Sequence, residues 1–86
     1  MKGLTPGRIV HFVNDRLVTA DSAYCTIVTK KYDHVPAMIT GLQIEDDGVV
    51  HLSVFYPGVQ KPTSEISVGF DESGLTAHTW HWIEQA

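Results

Sequence analysis

Residues Ala37–Tyr56 have the sequence AMITGLQIEDDGVVHLSVFY and carry the clearest fold signal in the chain. Two runs rich in β-branched and aromatic residues, Ala37–Ile44 and Val49–Tyr56, flank the turn Glu45-Asp46-Asp47-Gly48. An Asp-Gly step between two such runs indicates a β-hairpin, because both residues tolerate the backbone angles of a tight turn. Gly41 interrupts the first run, and a glycine inside a strand is typical of a bulge or a bend. The stretch therefore predicts a hairpin with one bent strand.

Outward from this hairpin, further short strands alternate with turns and no helical period persists. The additional predicted strands are Arg8–Val13, Ala23–Thr29, Ile66–Phe70 and His78–Ile83, and the predicted loops are Lys30–Pro36 and Pro57–Glu65. Residues 17–22 form either a loop or a short strand. We expect residues 1–86 to form one all-β domain, a small SH3-like half-open barrel of five to six antiparallel strands. Closure of this kind hides the edges of a small sheet.

Strand parity predicts which side chains reach the core, because alternate residues point to opposite faces. One predicted row comprises Val50, Leu52, Val54 and Tyr56. A second comprises Ile66, Val68 and Phe70, and a third contains Val10 and Phe12.

The composition argues against binding to DNA or RNA. The net charge is −4 and the six Lys and Arg residues are scattered, whereas binding DNA or RNA usually requires a basic face.

Cys25 is the single cysteine, so no intrachain disulfide can form and a reducing compartment is favoured. We expect Cys25 to be inert packing within its strand. No leader segment or apolar run of ~20 residues is visible, which predicts no membrane partner.

The segment HTWHWIEQA, residues 78–86, concentrates aromatic and imidazole side chains. On a strand, His78, Trp80 and Trp82 share one face, opposite His81 and Ile83. A tryptophan buries on the order of 200 Å² when enclosed, so a thin core does not easily take two neighbours. We expect one tryptophan to close the barrel end and the other to meet a partner chain or a ligand.

The histidines do not by themselves indicate a metal site. His78 and His81 fall on opposite faces of a strand, and no cysteine pair accompanies them. His11, His34 and His51 lie on separate segments, and nothing in the sequence requires them to converge. No activated nucleophile and no phosphate-binding glycine motif is recognisable. The sequence thus predicts a protein without metal, cofactor or catalytic residues.

Arg8 is the strongest candidate for anion binding. The preceding Thr5-Pro6-Gly7 turn places it at the start of a strand, where its guanidinium could fork onto a phosphate or a carboxylate. A salt bridge to Glu65, Asp71 or Glu72 is the alternative. The candidate ligand-binding residues are Arg8, His11, His78, Trp80 and Trp82.

Five motifs together resemble a group of small, mostly uncharacterised bacteriophage proteins. They are TPGRIVH at Thr5–His11, CTIVT at Cys25–Thr29, HLSVF at His51–Phe55, SVGF at Ser67–Phe70 and TWHW at Thr79–Trp82. The order is kept across nearly the whole chain. Two departures are that Leu75–His78 replaces a glycine usually found before the Thr-Trp pair, and that Ala37–Ile44 looks like an insertion.

This resemblance implies a phage protein that acts in the host cytoplasm and folds as a compact β-barrel. By analogy, it suggests an accessory or counter-defence factor, such as a homo-oligomeric "sponge" that sequesters nucleotide second messengers of bacterial immunity. Trp80 or Trp82 would then stack on a base, Arg8 would hold a phosphate, and a histidine would bond a ribose hydroxyl or a phosphate. The alternatives are a protein-binding or virion-associated adaptor, a metal-dependent hydrolase, and a protein whose two tryptophans are both core.

Overall fold

The computed structural model describes residues 3–83, which form seven β-strands and no helix. The strands are β1 (Ile9–Val13), β2 (Val18–Asp21), β3 (Thr26–Thr29), β4 (His34–Ile44), β5 (Val49–Val54), β6 (Thr63–Phe70) and β7 (Thr79–His81). The predicted all-β class is therefore confirmed.

Five of these strands close into a barrel in the order β1-β4-β5-β6-β7, and β2 and β3 form a separate two-stranded sheet. This is a small SH3-like barrel, fully closed where the sequence predicted a half-open one. Not every pair is antiparallel, because β7 pairs parallel with β6 and antiparallel with β1. Because β7 runs parallel to β6, the connection between them has to reverse the chain direction twice. Gly74 (φ 68°) and His78 (φ 59°) have left-handed backbone in this connection.

The β4–β5 hairpin is confirmed, including its irregular strand. The pairing register shifts between Ile39 and Gly41 and again between Leu42 and Ile44. Gly48 ends the turn with a φ of 72°. The loop predicted over residues 30–36 was too long, since β4 already begins at His34 and pairs there with Val13 of β1. Val35 and Ala37 are buried, which explains why the strand starts so early.

Most of the side chains that strand parity predicted to face the core are buried. Val50, Leu52, Val54 and Tyr56 are all buried, as are Val10 and Phe12 from β1. Trp80 is the largest side chain that is completely enclosed. The barrel interior is thus filled by the inward residues of paired strands, as strand alternation requires.

The prediction for Ile66 was wrong, because β6 contains a bulge. Ile66 is 68% exposed, whereas Val68 is fully buried. Ser67 has a left-handed φ of 53°, and the β5–β6 register jumps from Val50↔Val68 to Leu52↔Glu65. The bulge shifts the alternation by one residue, so that Glu65 takes the inward position instead of Ile66.

The prediction for Cys25 was also wrong. The strand proposed over residues 23–29 begins only at Thr26, and Cys25 is exposed in the turn between β2 and β3. The Ser22 hydroxyl accepts hydrogen bonds from the backbone N–H of Tyr24 and of Cys25. A serine that caps the backbone in this way favours a turn over a strand. Of the two alternatives for residues 17–22, the structure has a short strand.

Candidate functional site

Arg8 and Trp82 form an exposed pair at one end of the barrel. The Arg8 guanidinium carbon lies 5.0 Å from the centroid of the Trp82 ring, within cation–π distance. The turn before Arg8 is held by a hydrogen bond from the Gly7 N–H to the Ile39 carbonyl at 2.6 Å, with Gly7 at a φ of 88°. Arg8 is exposed and Trp82 is half-buried, so both side chains reach solvent.

Trp80 lies beneath this pair and belongs to the core. Its indole N–H donates a buried hydrogen bond to the Gly48 carbonyl at 2.6 Å. Its ring meets Trp82 edge-to-face at 4.9 Å and Phe70 at 4.8 Å between centroids. The two tryptophans therefore have different environments. Trp80 closes the interior, and Trp82 rests on it with part of its ring exposed.

His78 lies at the opposite end of β1 from Arg8. Its backbone N–H donates to the carbonyl of Val13, the last residue of β1, and its Nδ1 is 3.1 Å from an Asp15 carboxylate oxygen. Its ring also packs edge-on against Phe12. The structure thus separates His78 from Arg8 and Trp82, although the sequence analysis grouped them as one candidate site.

Charged side chains lie beside His78 at this end, where the Glu65 carboxylate is 3.9 Å from its Nδ1. The Arg16 guanidinium is 3.0 Å from the Glu65 carboxylate and 3.5 Å from that of Asp15. Burial would lower the pKa of Arg16, but the neighbouring Tyr56, Glu65 and Asp15 together raise it. Glu65 therefore pairs with Arg16, not with Arg8 as one alternative from the sequence had it. The sequence predicted Glu65 in the Pro57–Glu65 loop, whereas β6 already begins at Thr63 and its bulge turns Glu65 inward.

Three histidines meet on the outer wall of the barrel. His11 on β1 and His81 on β7 are direct cross-strand partners, and His34 begins β4. Their ring centroids are separated by 4.7 Å for His34–His81, 5.5 Å for His11–His81 and 6.1 Å for His11–His34. One ring nitrogen from each lies within 4.8 Å of the other two. We call this set the His11/His34/His81 cluster.

The turn between β6 and β7 covers part of this cluster. The Gly74 carbonyl is 3.1 Å from Nε2 of His34. A Cβ at position 74 would lie 3.0 Å from the His34 ring and 3.2 Å from the His81 ring. Gly74 is therefore required both by its left-handed backbone and by the closeness of two imidazoles.

A half-open cavity of about 260 Å³ adjoins His34. It is lined by Val28, Thr29, Asp33, His34, Val35, Pro36 and Pro57. His34 itself is exposed, while His11 is half-buried and His81 is buried. The cluster thus has two members fixed against the barrel wall and one that solvent can reach.

The His11/His34/His81 cluster was not predicted from the sequence. His11 was predicted as a ligand residue together with Arg8 and Trp82, and His34 was expected in a loop. Convergence of His11, His34 and His51 was left open, but Nδ1 of His51 accepts a hydrogen bond from the Ser67 N–H. The register of β1 against β7 was the missing information, since it alone places His11 opposite His81.

Comparison of the chain with protein-family models, curated proteins and solved structures finds no match in any of the three. Among residues 3–83 there is no helix long and apolar enough to cross a membrane. The class that the structure defines is a small SH3-like barrel. It presents an exposed Arg-Trp pair at one end and a histidine cluster on its outer wall.

Proposed function

We propose that the protein is a non-enzymatic binding protein that sequesters a small anionic, nucleotide-type ligand at the Arg8–Trp82 pair. In this proposal it serves a phage as an accessory or counter-defence factor in the host cytoplasm and works as a homo-oligomer. The observation that carries the proposal is the Arg8 guanidinium 5.0 Å from the Trp82 ring centroid, with both side chains open to solvent.

The chemistry of this pair suits a nucleotide. A guanidinium that stacks on an aromatic ring uses its face, and its five N–H donors lie in its plane, available to a phosphate. Trp82 is half-buried, and the part of its ring that Arg8 leaves open to solvent would stack on a base, an interaction worth about 1–3 kcal/mol. Trp80 supports Trp82 from below through its edge-to-face contact and fixes the ring orientation. Its own role is positioning, because it is fully buried.

A second copy of the chain would complete the site. Small-molecule pockets usually enclose most of their ligand, whereas Arg8 and Trp82 lie on the solvent-facing surface at one end of the barrel. Ile9 and Ile83, the next residues in sequence, are 39% and 47% exposed and provide apolar surface at the same end of the barrel. In the proposed oligomer this surface is buried between subunits and closes the ligand from a second side.

The same exposed residues favour one alternative, a protein-binding or virion-associated adaptor. Tryptophan and arginine are enriched among the residues that dominate binding energy at protein interfaces. Ile9 and Ile83 would then contact a host or phage protein instead of a second copy. Affinity for a nucleotide separates the two functions, because an adaptor does not require it.

The test is thermal unfolding of the purified protein with cyclic dinucleotides, ADP-ribose isomers and ordinary nucleotides. A ligand at about 100 times its dissociation constant adds about 2.7 kcal/mol, which raises the melting temperature of a domain of this size by roughly 10 °C or more. We expect one ligand class to produce this shift in the wild type and in Lys61→Ala, which removes an exposed cation elsewhere. Arg8→Ala should lose the shift.

Two further measurements complete the experiment. Chromatography of the nucleotide after incubation should recover it unchanged, since the proposed protein does not turn it over. Light scattering should give a mass that is a multiple of the monomer. A flat response to every ligand, or an equal response in Arg8→Ala and wild type, contradicts nucleotide binding at this pair.

A further inference from the structure

We propose that the His11/His34/His81 cluster binds one divalent transition-metal ion, with zinc as its best fit. Three imidazoles from three different strands converge on one patch of the outer wall. Imidazole is a preferred ligand of zinc, and a set of three histidines leaves one coordination position for water or an external ligand. This site is separate from the proposed nucleotide site and does not depend on it.

The distances are close to those that coordination requires. Nitrogens bound at about 2.0–2.1 Å in a tetrahedron around zinc lie roughly 3.3–3.4 Å apart. The three candidate nitrogens lie within 4.8 Å of one another, so small rotations of the imidazole rings bring them to coordination distance. No strand has to move, because His11 and His81 already face each other across the β1–β7 pair.

The hydrogen bond of His34 matches the usual surroundings of a metal ligand. A histidine that binds a metal generally donates its second ring N–H to a carboxylate or a backbone carbonyl, which fixes the tautomer and the ring orientation. Nε2 of His34 lies 3.1 Å from the Gly74 carbonyl, which can only accept. With the proton on Nε2, Nδ1 is the ring nitrogen of His34 that carries the lone pair for a metal bond.

Gly74 keeps the space around the two rings open. A side chain there would begin 3.0 Å from His34 and 3.2 Å from His81 and would displace both imidazoles. The glycine thus allows the β6–β7 turn to pass directly over the cluster while its carbonyl orients His34. An ion bound below it would link β1, β4 and β7 and would stabilise the closure of the barrel.

An approach path and a rigid frame are also present. His34 is exposed and lines the half-open cavity, so an ion can reach the cluster from solvent. His81 is buried and His11 is half-buried, which limits the freedom that their rings must lose on binding. Ordinary edge-on packing of imidazoles also gives centroid distances of this size. Such packing predicts no affinity for metal, and this difference makes the proposal testable.

The experiment uses the full chain, which is dialysed first against a chelator and then against buffer without the chelator. Zn²⁺ is titrated by calorimetry, the bound metal is counted by mass spectrometry, and Co²⁺ is added as a probe whose visible spectrum reports the coordination geometry. We expect one ion per chain, an intense tetrahedral Co²⁺ spectrum and a higher melting temperature with Zn²⁺.

Matched histidine variants locate the ion. His34→Ala removes the exposed ligand and should lower Zn²⁺ affinity by about 100-fold or more, because even outer-shell partners account for 10- to 100-fold. His51→Ala removes a histidine outside the cluster and should bind Zn²⁺ as the wild type does. His81→Ala should also lose the ion, and because His81 is buried, circular dichroism first checks that this variant is folded.

The outcomes that overturn the proposal are specific. One is less than a stoichiometric amount of Zn²⁺ on the folded wild-type chain. Another is equal affinity in folded His34→Ala and His51→Ala, which would place the ion elsewhere. Arg8→Ala should keep its Zn²⁺ affinity, so failure of the nucleotide proposal leaves this one unaffected.

Discussion

Trp80 and Trp82 allow the same substitution to be compared in two environments two residues apart. Trp80→Phe should lower the free energy of unfolding by about 2–4 kcal/mol, whereas Trp82→Phe should cost about 1 kcal/mol or less. Trp80 is fully buried and Trp82 is half-buried. Comparison of the two variants therefore tests which tryptophan contributes more to the stability of the barrel.

The larger figure has two parts. Trp80→Phe removes the indole N–H that donates to the buried Gly48 carbonyl, and a buried group that loses its partner costs about 1–3 kcal/mol. The smaller ring also leaves a void of roughly 40 Å³, which adds about 1 kcal/mol. For Trp82→Phe the main loss is cation–π stabilisation, because a phenyl ring attracts the Arg8 guanidinium less strongly than an indole does. An exposed cation–π contact is worth about 0.5–1 kcal/mol in total, so its weakening costs less than that.

Urea denaturation followed by circular dichroism and fluorescence measures both free energies, since each variant keeps one tryptophan as a probe. At about 4–8 °C per kcal/mol for a domain of this size, Trp80→Phe should melt roughly 10 °C or more below the wild type. Trp82→Phe should stay within a few degrees of it. Equal losses in the two variants, or a larger loss at Trp82, would refute the assignment of Trp80 to the core.

Two further predictions concern backbone strain and pH. Gly74→Ala should destabilise the fold more than Gly7→Ala: both add about 1–2 kcal/mol of left-handed strain, but only at Gly74 would the new Cβ meet a ring, that of His34, at 3.0 Å. Urea denaturation measures both, and equal losses would contradict the close approach. Burial raises the pKa of Tyr56 above its ordinary value of 10.0, so its contribution to stability is complete below pH 10 and falls as the pH rises through the folded-state pKa. Tyr56→Phe should therefore flatten the alkaline limb of the stability profile, and an unchanged limb would show that Tyr56 does not cause it.

The parts of the fold that the sequence predicted depend on local signals. The β4–β5 hairpin follows from Asp47-Gly48 between two strand-forming runs, and the buried row of β5 follows from simple alternation. Alternation fails in β6, where one bulge at Ser67 exposes Ile66 and buries Glu65. A bulge with a non-glycine residue at positive φ has no clear local signal, so parity could not reveal it.

The candidate sites required knowledge of non-local pairing. Arg8 and Trp82 were both predicted as ligand residues, and the structure places them together. His11 and His81 were separated by the sequence analysis, because strand parity can sort faces within a strand but cannot align two distant strands. The register between β1 and β7 is fixed only when the barrel closes. His34 joins them because β4 begins earlier than its proline-containing sequence suggested.

The pairing of β1 with β7 produces both candidate sites, and their separation follows from strand alternation. Trp80 faces the interior and supports Trp82, whereas His11 and His81 face the outer wall. A ligand at the Arg8–Trp82 pair therefore does not have to contact the His11/His34/His81 cluster. Separation of β1 from β7 would nevertheless disrupt both sites. Arg8→Ala with Zn²⁺ affinity retained, together with His34→Ala with nucleotide affinity retained, would establish two independent sites. Loss of both affinities in either variant would indicate that the substitution had opened the β1–β7 pair.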